Sequence, residues 1–504
     1  MIPESKDAEL FIGIVARLGV DTHRAAQAIQ DCLRDYKYEV IEVKVTGAIK
    51  ELERYSTISP ADTKERYKNY IDACDELRSI TGLKDIMARF AISQVGGAGP
   101  DQEERNPRLR RAYIINQLKR KEESDLLRSV YGEHYVQISF HANTEDRVRR
   151  LADRIADDHA EKPRAENWAT SARELIDSDD AEEDKPDGQR VRDVFPTSDV
   201  VIDASKPKRL KDQLDRFLRA LFGDPRVTPT PDEYGMQLAN TASLRSSDLS
   251  RQVGAAILNS STEVQALGCN EVPKAGGGTY WEGDENDARE FQLEKDSNDE
   301  RKREVLLDLA SRMVEAGIIG EEFRSRERLR SAILERKDDL IRHSQVMDSL
   351  EYGRTVHAEM NAITDAARNG HAVRNCVLYC NTFPCHNCAK HIVSSGIVRV
   401  IYLLPFVKSY TRQLFSDSIA IDPPAPVKSK VEFRQFVGIV GPIYERVFYK
   451  RRWKSADGTV PPFVKSDAVF IRRTPIPAYT KTERVVALDL NDVLEAKNLR
   501  PAVH

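Results

Sequence analysis

VHAEMNAI, residues Val356–Ile363, sets a histidine and a glutamate two positions apart at the head of a helical pattern. Downstream, FPCHNC (Phe383–Cys388) sets two cysteines three apart at a second helix start, with Pro384 suited to the first turn. Free amides and the macrodipole at such an end favour thiolate over thiol. Two thiolates and one imidazole are the ligand count of a zinc site whose fourth position stays open. His357, Cys385 and Cys388 are therefore the candidate ligands. Glu359 stands where it could reach a water at the open position without being a ligand itself, which is the place of a general acid/base. A structural zinc would ask for a fourth protein ligand. His386 and His391 are the local candidates, and roles at the surface or behind the ligands suit both better. Cys376 and Cys380 flank a strand and read as core.

Working outward, VGAAIL (Val253–Leu258), VLYCNTF (Val377–Phe383) and VRVIYLL (Val398–Leu404) read as strands, and the octet opens a helix that ends near Gly370. A second helix, Pro384–Ser395, closes at Gly396. GCNEVPKAGGGTYWEG (Gly268–Gly283) is a glycine-rich loop, and the charged stretch 285–350 reads as a helical insertion, a lid or an oligomer arm. Towards the N-terminus, Leu10–Val15 and Glu39–Val45 enclose a helix from Asp21 to Tyr36. Arg111–Asn116, Tyr135–Phe140 and the helix Thr144–Ile155 continue the alternation. That pattern predicts an α/β domain with a parallel sheet. GDPRVTPTP (Gly223–Pro231) marks the domain boundary. GGAGPDQEER (Gly96–Arg105) reads as a turn-rich loop and DSDDAEEDKPD (Asp177–Asp187) as a mobile acidic insertion. Beyond Val440 the pattern weakens into a basic, aromatic tail and an irregular C-terminus.

The totals bound the function. The chain has 504 residues, 40% hydrophobic and 31% charged, with a net charge of −4. That balance does not suit a general nucleic-acid binder, and the basic clusters Lys206–Lys211 and Lys450–Lys454 read as solvated surface. No apolar run is long enough to span a membrane, and the first residues lack a signal pattern, so the cytoplasm is the expected location. Seven cysteines are too few for a disulfide framework, and four of them fall between Cys376 and Cys388.

The ordered pair His-Ala-Glu and Pro-Cys-His-Asn-Cys has the form of the zinc nucleobase deaminases. Together with LRSSDLSRQVGAAIL (Leu244–Leu258), GCNEVP (Gly268–Pro273) and TFPCHNCAKHIVSSGIVRVIY (Thr382–Tyr402), it makes residues 236–415 resemble the deoxycytidylate deaminases of the cytidine deaminase superfamily. The resemblance implies a three-layer α/β/α fold, zinc, free deoxycytidine mono- or triphosphate as substrate, and a hexameric or dimer-based homo-oligomer. It implies that Asn270 holds the nucleoside. Arg245, Ser246 and Lys390 are candidates for binding phosphate. Cys269 and Glu271 stand where the family has tyrosine and glycine.

The whole chain resembles the bacterial antiphage deoxycytidine deaminases, which join a kinase-like domain to a deaminase and deplete dCTP and dCMP during infection. The likeness of the N-terminal part is carried by FIGIVARLGVD (Phe11–Asp21), AYIINQLKRKEESDLLRSVYG (Ala112–Gly132) and DVFPTSDVVID (Asp193–Asp203). The expected layout is a degenerate P-loop-kinase-like domain over 1–222, a linker over 223–232, the deaminase over 233–440 and an extension over 441–504. GIVARLGVD lacks the Gly-Lys-[Ser/Thr] of a P-loop, so no kinase activity is expected. Gly13, Arg17 and Gly19 are kept as a candidate regulatory nucleotide loop. A dCTP-depleting enzyme needs restraint, for which a nucleotide effector, a protein inhibitor or an inhibitory RNA is the candidate source. The competing readings are a housekeeping dCMP deaminase, a nucleic-acid cytidine editor and a non-enzymatic nucleotide sensor.

Overall fold

A computed structural model describes residues 8–58, 62–96, 109–160, 162–182, 185–320, 323–334, 344, 346–347, 351–404, 410–450, 454–455, 457–470 and 479–501. The fold class is α/β. Its strands, in chain order, are β1 (Leu10–Ala16), β2 (Glu39–Lys44), β3 (Arg111–Leu118), β4 (Tyr135–His141), β5 (Val200–Asp203), β6 (Gly254–Leu258), β7 (Val264–Cys269), β8 (Val377–Cys380), β9 (Arg399–Tyr402), β10 (Ile419–Ile421), β11 (Val431–Gln435) and β12 (Gly438–Ile439). They make two six-stranded sheets, ordered β12-β5-β4-β1-β3-β2 and β10-β11-β9-β8-β6-β7. The chain divides into two compact units. The first consists mainly of Met1–Gln237 with Gln435–His504, and the second of Leu238–Leu403 with Val407–Arg434.

In the first unit, β1 pairs in parallel with β3 and β4, and β2 and β5 extend the parallel sheet on either side. Every residue of β1 is buried, as a strand covered on both faces requires. The helix Thr22–Arg34 buries Ala25, Ala26, Ile29, Cys32 and Leu33, one stripe at helical spacing, and Asp21 caps its first turn. The helix Pro207–Leu221 brings Leu210, Leu214 and Phe217 into the same core.

The region read as irregular holds an 18-residue helix, Tyr479–Ala496. Tyr479 donates a 2.5 Å hydrogen bond to Glu9 and meets the Phe11 ring edge-on. β12 adds antiparallel to β5. This tail is grouped with the first unit rather than standing as a separate extension. The acidic stretch also differs from its reading as a mobile insertion. It begins inside the helix Ala169–Ala181, where Asp179 is buried and accepts from the Leu18 amide. The proline-rich segment is pinned too, because buried Asp224 takes hydrogen bonds from Arg219 and Arg226. Most of the loop Gly96–Arg105 and part of Lys450–Lys454 lie outside the described residues.

In the second unit, β6 pairs antiparallel with β7 and β8, and β8 pairs in parallel with β9. β7 was not foreseen. Its solvent-side residues leave too weak an alternation before the glycine-rich loop. Gly268 is needed in it, because a side chain there would strike the Ala358 carbonyl and the Ala362 amide of the helix Ala358–Asn369. The stretch 285–350 contains the helices Ser297–Glu315 and Arg326–Leu334, joined by a small core of Leu307, Ala310, Val314 and Leu329. Part of it lies outside the described residues.

Candidate active site

Two helix starts converge in the second unit. His357 is the N-cap of the helix Ala358–Asn369, which ends at Gly370 in the left-handed conformation. Cys385 is the N-cap of the helix His386–Ser394, so Pro384 stands one residue outside that helix rather than in its first turn. Glu359 and Cys388 follow inside the first turns. The segment before His357 is fixed by an isolated bridge, in which the Val356 amide donates to the Glu271 carbonyl at 3.0 Å and the Glu271 amide to the Val356 carbonyl at 3.2 Å. Asn361 ties the same helix to β7 by donating to the Cys269 carbonyl at 2.7 Å.

His357 Nδ1 lies 3.3 Å from Cys385 Sγ and 3.4 Å from Cys388 Sγ. The three ligand atoms all lie within 4.8 Å of one another. Tetrahedral zinc with its usual bonds to nitrogen and sulfur sets such atoms roughly 3.6 Å apart. The donor set and spacing therefore fit zinc. His386 and His391 are not part of this cluster. Cys376 and Cys380 are buried among core side chains.

The electrostatics follow from the packing. The Cys385 thiol is pushed down to about 4, chiefly by its hydrogen bond with Cys388 and next by His357, against the opposing effect of burial. Cys388 is pushed up because it shares that bond and is buried. The Cys385 contact raises His357 to about 9. Glu359 is 3% exposed, and burial raises its carboxyl above the usual range. Its Oε2 accepts from Cys388 Sγ at 3.3 Å.

A cavity of about 290 Å³ opens on this cluster, with His357, Glu359 and Cys385 in its wall. Asn270 lines it as well. The Asn270 side chain accepts from the Val253 amide at 2.7 Å and donates to the Arg251 carbonyl at 2.8 Å, fixing the loop before β6. Arg245, Ser246 and Lys390 are placed elsewhere. Arg245 stacks 3.6 Å above the Trp281 ring and donates to the Thr279 and Tyr280 carbonyls. Ser246 is buried and donates to the Asn270 carbonyl, and Lys390 is exposed beside Asn387. None of the three lines the cavity. In the first unit, Gly13 sits inside β1 against the Tyr135 hydroxyl, while Arg17 and Gly19 line a different cavity.

The wall also holds Asp248, Arg251, Thr382, Glu290 and Asp296, which the sequence reading did not single out. Arg251 and Thr382 fall inside the motifs already quoted. Glu290 and Asp296 come from the insertion, and no local signal ties them to the site. Arg251 is the one Lys or Arg among the described wall residues, facing three carboxylates besides Glu359.

Residues 229–404 match the family model of the cytidine and deoxycytidylate deaminase zinc-binding region. The ligand cluster lies wholly within that match. Among similar curated proteins, human deoxycytidylate deaminase is 26% identical over 171 residues, 34% of this chain and 63% of the relative. Deoxycytidylate deaminase of Enterobacteria phage T2 is 43% identical over 54 residues, 11% of this chain and 29% of the relative. ComE operon protein 2 of Bacillus subtilis is 35% identical over 66 residues, 13% and 35% of the two chains. The chain thus spans less than two thirds of the length of each of these relatives, from 29% to 63%. A crystal structure of dCMP deaminase from cyanophage S-TIM5 with dCMP and dUMP aligns at 15% identity and a TM-score of 0.23, covering 42% of this chain and all of that one.

Proposed function

We propose that the chain is a zinc-dependent hydrolase that deaminates free deoxycytidine nucleotides, dCMP and/or dCTP, to the deoxyuridine nucleotides. The observation that carries this is the His357–Cys385–Cys388 triangle with Glu359 at its edge, open to a cavity of about 290 Å³. His357, Cys385 and Cys388 hold the zinc. When bound, zinc supplies Lewis-acid activation of water at neutral pH. Glu359 would carry one proton of the attacking water to the ring nitrogen and then the second, from the added hydroxyl, to the leaving amine, which departs as ammonia. Burial keeps its carboxyl nearer neutrality than an exposed glutamate, which suits a group that both accepts and donates. Asn270 holds the loop that carries Arg251, and Arg251 meets the substrate phosphate. With Arg251 the one Lys or Arg among its described residues, the wall offers no basic track for a polynucleotide backbone, which disfavours the nucleic-acid editor reading.

The role we propose is depletion of deoxycytidine nucleotides in antiphage defence, supported by the likeness of the two-part architecture to such enzymes. In this reading the first unit is a kinase-like domain without phosphoryl transfer, and the enzyme works as a homo-oligomer under restraint by an effector nucleotide, a protein inhibitor or an inhibitory RNA. Among the described residues no helix is long and apolar enough to cross a membrane. The test is product analysis with dCMP, dCTP, CMP and single-stranded DNA, beside phage challenge of cells expressing wild type or Glu359→Ala. Conversion of a free deoxycytidine nucleotide, with protection lost in the variant, is expected. Conversion of DNA alone would move the protein to the editors, and conversion without protection would leave the housekeeping role.

A further inference from the structure

The first unit contains a cavity of about 540 Å³ at the carboxyl ends of β1, β2 and β3, walled on one side by the helix Thr63–Thr81. That size accommodates a nucleotide-sized ligand. The crevice beyond the carboxyl ends of parallel strands is where open α/β sheets take ligands. The chemistry of its two ends is unequal.

Its outer rim is cationic. Lys44, Lys50, Arg66 and Arg154 all line it. Lys44, Arg66 and Arg154 are exposed and Lys50 is half-buried. Among the described residues none of the four has a carboxylate within ion-pair distance. Their neighbours are tyrosines: Arg66 lies 5.9 Å from the Tyr67 ring, Lys50 lies 6.0 Å from the Tyr70 ring, and Arg154 donates to the Tyr67 hydroxyl at 2.9 Å. Four cations come from four separate elements; Glu42, whose carboxylate accepts from Asn116 at 2.9 Å, lines the same cavity and offsets only part of their mutual repulsion, which a bound anion would relieve.

The inner end holds three buried acceptors beside the cations Arg78 and Lys119. Gln189, Glu123 and Asp179 line it and are 7%, 1% and 5% exposed. Lys119 gathers them. Its amide donates to Glu123 at 2.8 Å, its ammonium stands 3.7 Å from Asp179, and its carbonyl accepts from the amide of Arg190, next to Gln189. Gln189 Oε1, Glu123 Oε1 and Asp179 Oδ1 are buried and take no hydrogen bond, although Glu123 Oε1 stands 3.5 Å from the Arg78 guanidinium and Asp179 Oδ1 3.7 Å from the Lys119 ammonium. Gln189 Oε1 has neither hydrogen bond nor ion pair, a costly state for a buried acceptor that a ligand donating a hydrogen bond would relieve.

The loop between β1 and its helix forms one wall of this cavity through Arg17, Leu18, Gly19 and Val20. Asp21 already caps that helix by accepting from Arg24, and Gly19 is packed against Arg147. Further lining comes from β2, β3 and the helix Thr63–Thr81.

We infer that this cavity binds a nucleoside polyphosphate whose base carries an amino group, with the phosphates on the Lys44–Lys50–Arg66–Arg154 rim and the amino group on the Gln189–Asp179–Glu123 acceptors. The inference is independent of the deaminase reading. ATP is the probe, because it has the amino group and no cytosine. Calorimetry on the zinc-loaded full chain compares ATP, UTP and tripolyphosphate. ATP is expected to bind, with UTP weaker by about tenfold or more, since a site built to receive donors rejects a base that lacks them. Lys44→Glu with Lys50→Glu, and separately Arg66→Glu, are expected to weaken ATP by about tenfold or more through charge reversal at the rim. Gln189→Leu is expected to narrow the gap between ATP and UTP. Absence of ATP binding, equal binding of ATP and UTP, or unchanged ATP affinity in folded rim variants would overturn the assignment.

Discussion

Glu359 Oε2 lies 3.3 Å from Cys388 Sγ, at the edge of the triangle that Cys388 forms with His357 and Cys385. The carboxylate is beside the candidate metal position but belongs to the first turn of the other helix. One helix start therefore supplies a ligand and the proton carrier, and the other supplies both thiols. Neither helix start is a complete site alone.

Replacing Glu359 by Ala removes the proton carrier and leaves the ligands. The turnover number is expected to fall by about 10²–10⁴-fold, the usual worth of positioned acid–base catalysis. Zinc content should stay at the wild-type value. Steady-state kinetics together with elemental analysis reads both, and wild-type turnover in the variant would remove Glu359 from its role.

Cys385→Ala and Cys388→Ala each leave two ligands of three. Both are expected to lose zinc on dialysis under conditions in which wild type keeps it, because three protein ligands is the minimum of a catalytic zinc site. Full occupancy in either variant, measured by emission spectrometry, would mean that the ligand set is wrong.

Arg251 is the one Lys or Arg among the described residues of a wall that also holds Asp248, Glu290 and Asp296. Arg251→Ala should raise KM for dCMP about tenfold or more with kcat little changed, the pattern of lost uniform binding. Deoxycytidine, which lacks the phosphate, should be indifferent to the substitution. Equal loss on both substrates would point to a structural role in the loop that Asn270 holds.

Asp224 gives a pH-dependent stability. Burial acts to raise its pKa, but hydrogen bonds from Arg226 and Arg219 outweigh that and hold it below the usual carboxylate range. A depressed carboxylate contributes stability that is fully present above its unfolded pKa and is lost as pH falls through the folded one. Asp224→Asn should cost about 1–3 kcal/mol at neutral pH, the range of hydrogen bonds to a charged group. The difference from wild type should close on acidification below roughly pH 4. Denaturant melts at a series of pH values check the sign, and a gap that widens in acid would reverse it.

Glu233 ties the tail to the first unit. It is fully buried, accepts from Arg216 at 2.6 and 2.8 Å, and accepts from the Ile439 amide of β12 at 2.8 Å. Glu233→Ala strands Arg216 and should destabilise the first unit by roughly 3 kcal/mol. Truncation before Gln435 should lower its melting temperature as well, because it removes β12 and Tyr479. A melting temperature unmoved by truncation would separate the tail from that unit.

The sequence was legible where chemistry and periodicity coincide. His357, Glu359, Cys385 and Cys388 could be placed at helix starts because Pro384, Gly370 and Gly396 punctuate the pattern around them. β1, with every position apolar or glycine, could be read as a buried parallel strand. β7 could not, since Val264 and Leu267 are exposed and the alternation is broken. The helix Tyr479–Ala496 escaped because its polar face is rich in charge and its partners, Glu9 and Phe11, are at the opposite end of the chain. Arg245 and Lys390 looked suited to phosphate by residue type, but type alone does not say which way a side chain points. Arg245 is spent on Trp281 and two carbonyls. Glu290 and Asp296 reach the wall from the stretch read as a lid or an oligomer arm, whose charge pattern does not say which of its carboxylates face the site.

The most direct measurement is ammonia release from dCMP by the zinc-loaded full chain, followed together with dUMP formation and repeated with Glu359→Ala. The account predicts ammonia and dUMP in equal amounts from wild type and both formed about 10²-fold or more slowly by the variant. Intact dCMP and dCTP after incubation with protein carrying a full complement of zinc would contradict it.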